Sequence, residues 1–159
     1  MTVIRFAEPA DVGTILHFVR ELAEYERELD KVVATEELLH QALFSTPPAA
    51  EALIAEAGGA PVGLALFFHN FSTWTGWRGL YLEDLYVTPE ARGTGVGKAL
   101  LKRLAQIAVE RGCGRFEWAV LDWNTPAQEF YKAMGASVMD DWRICRMAGD
   151  ALTDFAAAP

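Results

Sequence analysis

Between Arg92 and Lys98 the chain reads Arg-Gly-Thr-Gly-Val-Gly-Lys, and shortly before it stand two consecutive acids, Glu83 and Asp84. The first stretch suits holding an anion, the second suits taking a proton. A helix that starts near Val96 leaves its first-turn N–H groups without intrahelical partners, and its dipole puts partial positive charge there. Gly93, Gly95 and Gly97 let a phosphate approach that backbone without meeting a Cβ. Glu83 and Asp84 interrupt an otherwise apolar strand pattern, and alternation along a strand sends neighbours to opposite faces. They are therefore not expected to work as one pair. One of them faces the interior or a cleft, where burial raises its pKa and suits it to proton abstraction.

Two common phosphate motifs are excluded. A nucleotide loop of the Gly-x-x-x-x-Gly-Lys-Ser/Thr type needs glycine where Arg92 stands and a hydroxyl where Ala99 stands. The dinucleotide pattern Gly-x-Gly-x-x-Gly fails because Lys98 falls at its third glycine. What remains is Arg-x-x-Gly-x-Gly. Such a motif is weak alone; directly after a strand it gains weight over a tight turn with no ligand.

The remaining polar groups narrow the chemistry. His17, His40 and His69 lie far apart in sequence without clustered cysteine or acid partners, so no metal site is expected. Cys113 and Cys145 form no disulfide framework and read as small reduced hydrophobes. A formal net charge of −8 argues against nucleic acid, whose binding depends on phosphate neutralisation. An acidic surface instead steers cations, although it also serves ordinary solubility. Residues 21–28 crowd carboxylates at a helix C-terminus, where they oppose the dipole. No run of about 18 apolar residues is present, and no leader pattern precedes the first strand, so a cytoplasmic protein is expected.

These groups need elements to hold them. With 159 residues and 52% hydrophobic content, the chain can bury a core as one domain over residues 1–152, with 153–159 as a frayed tail. Residues 3–6 read as a strand, and Pro9 and Asp11 open a helix with Val12, Ile15, Leu16, Val19 and Leu22 on one face. Thr35 can cap a second helix. Residues 52–57 and 62–69 form a hairpin around Gly58 and Gly59, then a loop over 70–79 carries Phe71, Trp74 and Trp77. A strand over 80–87 leads into the glycine loop and a helix with Val96, Leu100, Leu104 and Ile107 on one face. Residues 116–121 are a strand, Thr125 caps a helix with Pro126 at its first position, and Gly135 closes it. A last strand pair is expected near 137–138 and 142–147. The order is mixed α/β, a mostly antiparallel sheet flanked by helices.

Arg92 to Lys98, set after the strand over 81–87, resembles the acyl-CoA loop of the GNAT acetyltransferases, and the order of elements matches that fold. The resemblance implies acetyl-CoA as cosubstrate, with Arg92, Gly93, Thr94, Gly95, Val96, Gly97 and Lys98 around its diphosphate. It further implies Leu85, Tyr86 and Val87 beside the pantetheine arm, and Asn124, Thr125, Pro126 and Ala127 further along the carrier. Residues 124–132 match the family pattern Asn-x-x-Ala…Phe-Tyr, which makes Tyr131 the acid that protonates the leaving thiolate. A phenol with a solution pKa near ~10 holds its proton at neutral pH. For the base, the resemblance points to Glu83.

Three blocks, at 81–87, 120–124 and 21–26, are similar to the spermidine/spermine N1-acetyltransferase (diamine acetyltransferase) family, over about residues 3–152. That implies a homodimer and small-amine substrates, with Tyr25, Glu26, Glu83, Asp84, Glu117 and Trp142 on the acceptor side. Carboxylates and aromatics suit an ammonium. The polyamine-specific branch carries an acid where Ser72 stands, and the version here looks more like the branch that acetylates thialysine. A lysine-like or short diamine acceptor is therefore expected over spermine. Peptide acetylation, an antibiotic amine as acceptor and a non-catalytic acyl-CoA-binding module are the competing readings; Glu83 together with Tyr131 speaks against the last.

Overall fold

The computed structural model describes residues 1–159, which divide into two compact units, Met1–Ala119 and Val120–Pro159. The first unit holds the sheet. β1 (Thr2–Phe6), β2 (Glu51–Ala57), β3 (Ala60–Ser72) and β4 (Trp77–Val87) run antiparallel in that order, and β5 (Phe116–Trp118) joins β4 in parallel. Three helices accompany it: α1 (Val12–Tyr25), α2 (Glu36–Phe44) and α3 (Val96–Glu110).

The expected apolar stripes become the two sides of the core. Ile15 and Phe18 of α1 and Leu43 of α2 pack on Ala52, Ile54, Leu64 and Tyr86, which face that side of the sheet. Val96, Leu100, Leu104 and Ile107 are buried along α3, opposite, where Gly63 lets the helix come close. A Cβ there would lie 3.1 Å from Val96 Cγ1, 3.2 Å from Leu100 Cδ1 and 3.1 Å from the Tyr86 carbonyl oxygen. Thr35 caps α2 as expected, accepting from the Leu38 amide at 3.2 Å. The expected loop over 70–79 is instead a hairpin: β3 runs on to Ser72, β4 begins at Trp77, and Ser72 Oγ accepts from the Trp74 and Thr75 amides.

The second unit contains α4 (Thr125–Ala133) and α5 (Asp150–Ala157). The cap of α4 is Asn124, whose Oδ1 accepts from the Ala127 amide at 3.3 Å, and Thr125 stands one place inside the helix. Both residues are good caps, and the one immediately before the proline-bearing turn takes the role. The strand pair expected near 137–138 and 142–147 is absent, and residues 136–149 carry neither helix nor strand. The tail expected to fray is helical from Asp150, with Leu152 and Phe155 exposed.

Candidate active site

The glycine loop is built from backbone. Gly95 is the N-cap of α3 at φ 92°, with no side-chain capping bond, and Gly93 is left-handed at φ 77°. A Cβ at either position would meet nothing within 4 Å, so glycine is required there for its conformation and the space over the loop is open. The first helical bond runs from the Ala99 N–H to the Gly95 oxygen at 2.9 Å. The amides of Val96, Gly97 and Lys98 precede it and have no intrahelical acceptor. Thr94 turns its hydroxyl away to donate to the Ala91 oxygen at 2.6 Å. The residues at hand thus fit a diphosphate.

Arg92 folds back on the preceding strand. Its Nε donates to the Val87 oxygen at 3.0 Å, and its guanidinium lies 5.6 Å from the Tyr25 ring centre and 5.8 Å from that of Tyr86. The Tyr86 side chain is part of the core, 4% exposed, stacked on Phe18 and donating to Glu21 Oε2 at 2.5 Å. Burial, then the hydrogen bond to Glu21, push its pKa up to about 12.

β4 changes character at Glu83. Leu66 pairs with Asp84 and Phe67 with Leu82, so Glu83 has no partner on β3 and forms a bulge. On the other flank β5 pairs only with Leu80, Tyr81 and Leu82. Beyond Glu83 the groups of Leu85–Val87 that point away from β3 have no strand partner; apart from the Val87 oxygen, which Arg92 Nε holds, they are able to pair with an extended amide-bearing arm.

The two acids differ in burial as alternation leads one to expect, and Asp84 is the one turned inward. Glu83 is exposed and Asp84 half-buried, yet both act on one neighbourhood. Burial first, then the charges of Glu83 and Glu26, raise Asp84 to about 6. Burial, Glu28 and Glu83 raise Glu26 in the same direction. Tyr81 is raised by burial, Glu83 and Glu117, which faces it across β5. Five of the six acceptor-side candidates, Tyr25, Glu26, Glu83, Asp84 and Glu117, thus belong to elements that meet around the bulge. Tyr81, two positions before Glu83 on the same strand, stands beside this cluster and was not singled out from the sequence.

Glu26 owes its place to the end of α1. The Glu28 amide donates to the Ala23 oxygen and the Arg27 amide to the Glu24 oxygen, with Arg27 at φ 65°. This is the two-bond helix terminator that glycine usually completes. A left-handed arginine stores strain on the order of 1 kcal/mol. No group of three or more His, Cys, Asp or Glu side chains is arranged to hold a metal ion.

The second unit carries the remaining candidates. Asn124, Thr125, Pro126 and Ala127 form the capped start of α4, and Gln128 Nε2 braces it by donating to the Leu121 and Asp122 oxygens at 3.1 Å each. Tyr131 lies further along the same helix, half-buried, its ring 5.5 Å from Phe130. Trp142 is 66% exposed.

The chain is similar to known proteins along nearly its whole length. The model of the acetyltransferase (GNAT) family matches residues 16–136. A thialysine N-epsilon-acetyltransferase of Bos taurus is 41% identical over 165 residues, covering 97% of this chain and 96% of its own. The L-ornithine N5-acetyltransferase NATA1 of Arabidopsis thaliana is 32% identical, covering 94% and 85%. Among solved structures, an integron cassette protein from the mobile metagenome of V. cholerae superposes with a TM-score of 0.82 at 27% identity, covering 99% and 98%. No helix is long and apolar enough to cross a membrane. With the family model matching residues 16–136 and a relative 41% identical over nearly the whole chain, the chain belongs to the acetyltransferase (GNAT) family and is an acetyl-CoA-dependent N-acetyltransferase.

Proposed function

We propose that the enzyme acetylates the primary amine of a small, lysine-like or short diamine molecule by direct attack, with no acyl-enzyme. Acetyl-CoA, when bound, supplies the thioester carbonyl. The loop amides of Gly93 to Lys98 and the Arg92 guanidinium hold its diphosphate, with the start of α4 at Asn124, Thr125, Pro126 and Ala127 further along. The free flank of Leu85–Val87 pairs with its pantetheine arm. Glu83 takes a proton from the incoming ammonium, directly or through water. The amine nitrogen then bonds to the carbonyl carbon, the carbon–sulfur bond breaks, and Tyr131 gives its phenolic proton to the departing sulfur; the nitrogen sheds its second proton to water as the amide forms, and water reprotonates Tyr131. Tyr25, Glu26, Asp84, Glu117 and Trp142 line the acceptor side.

One observation carries this reading. Three carboxylates, Glu26, Glu83 and Asp84, are gathered so closely that burial and mutual repulsion lift Asp84 to about 6. Such a cluster opposes its own ionisation unless a cation joins it. An ammonium is the natural counter-charge. The names of the relatives, thialysine and L-ornithine acetyltransferases, support an amino-acid-like amine.

We further propose that residues 1–152 work as one catalytic domain in a cytoplasmic homodimer. Met139, Trp142, Ile144 and Met147 expose large apolar surface within one short segment, as interfaces do. Cys113 and Cys145 are both free thiols, which suits a reducing compartment.

Steady-state CoA release from acetyl-CoA across thialysine, lysine, ornithine, putrescine, spermidine, a lysine peptide and kanamycin tests the acceptor. Thialysine, lysine or ornithine should lead in kcat/KM. A lead for spermidine, the peptide or kanamycin overturns the assignment, and no turnover with any amine favours a binding module.

A further inference from the structure

The arginine that opens the glycine loop touches the acceptor side. Its guanidinium covers Tyr25, the last residue of α1, while its Nε is anchored on Val87. Tyr25 precedes Glu26, whose carboxyl feels Glu83 at the bulge. A second tether, from Tyr86 to Glu21, holds α1 one turn earlier. The two ends of the site are therefore joined through one cation over an aromatic ring, 5.6 Å from its centre.

We propose that Arg92 is a positioning residue, which couples occupancy of the glycine loop to the placement of Tyr25 and Glu26. The inference rests on reading that loop as the diphosphate site. With Nε committed to Val87, the terminal amino groups of the guanidinium are left to meet a diphosphate. An anion there fixes the plane of the guanidinium, and the fixed plane orders the ring stacked on it. Tyr25 lies at the end of a helix, where fraying is easiest and ordering has most to gain. Free energy spent on ordering α1 when the carrier binds need not be spent when the amine arrives, so the two ligands bind with positive coupling. Lysine at this position would keep the charge and lose the planar stack.

Hydrogen exchange of the full-length protein with and without CoA tests this, using wild type, Arg92→Lys, Tyr25→Leu and Tyr25→Phe. In wild type and Tyr25→Phe, CoA should slow exchange at the loop amides 93–98 and also at amides 23–28. It should also lower the Kd of thialysine fivefold to tenfold. At saturating CoA the loop should still be protected in Tyr25→Leu and in Arg92→Lys, the latter with a raised CoA Kd because the lost guanidinium holds the diphosphate. In both, the effect at 23–28 and the thialysine gain should be lost. Unchanged protection of 23–28 in those two variants overturns the coupling and leaves the loop assignment standing. If CoA fails to protect the loop in wild type, the loop assignment falls and the coupling with it. The exchange measurement needs no acceptor, so it decides even where thialysine does not bind.

Discussion

The two units handle their apolar side chains in opposite ways. Every buried residue lies between Asp11 and Ala108, whereas no side chain from Val120 to Pro159 is buried. The first unit finds partners for its stripes within itself: α1 and α3 each present one apolar face, and the sheet offers two. The second unit spends comparable side chains, Trp142, Ile144, Leu152 and Phe155, on the surface. A region that packs itself fixes geometry through its core. A region that does not must have it fixed by whatever covers it.

Stability should report that contrast most strongly. Leu100→Ala should cost about 3 kcal/mol, because Leu100 is fully enclosed and the cavity cannot collapse. Phe155→Ala, in dilute protein, should stay within about 0.5 kcal/mol. Denaturant midpoints compare the two, and equal losses would erase the distinction.

A smaller effect comes from Asp84. Its folded pKa of about 6 lies above the ordinary 3.8, so its ionised form opposes folding. The penalty is fully present above pH 6 and fades as the pH falls toward 3.8. Asp84→Asn should therefore raise stability at pH 8 by on the order of 2 kcal/mol, and the gain should vanish by about pH 4. In wild type, kcat/KM should fall below about pH 6 as that carboxylate is neutralised, and the variant should lose that limb of the profile. A stability gain independent of pH would remove the electrostatic explanation.

The smallest free-energy change sharpens the comparison from the other side. Tyr131→Phe should cut turnover tenfold or more, about 1.4 kcal/mol in the barrier, while acetyl-CoA affinity stays within about threefold. Since Tyr131 belongs to the unit without a core, Tm should hardly move. Undiminished turnover would strip Tyr131 of the acid role.

The same contrast explains what could be read from the sequence. Helical stripes at Ile15 and Leu16 or at Leu100 and Leu104 are local patterns whose partners lie in the same unit, so they predicted the core. The glycine loop was legible because its requirement is conformational, at Gly93 and Gly95. The bulge at Glu83 was not, because two-residue alternation assumes a regular ladder and only pairing with Leu66 and Phe67 shows the slip. The rule that puts proline first in a helix chose Thr125 as the cap of α4, whereas Pro126 stands second, behind the Asn124 cap. Residues 142–147 had a strand's composition, but a strand needs a neighbour to bond with, and none is formed there. The stack of Arg92 on Tyr25 joins positions 67 apart in sequence and has no local signature.

Gly63 has a consequence out of proportion to its size. It touches no ligand group, yet the clearance it leaves sets how deeply the first turn of α3 sits on the sheet. The amides of Val96, Gly97 and Lys98 ride on that turn. Any side chain at 63 would shim the helix outward by a few tenths of an ångström, and the loop would move with it. On the proposed reading of that loop, the affinity for the acyl carrier is set partly from beneath, by a residue outside the set of ligand contacts.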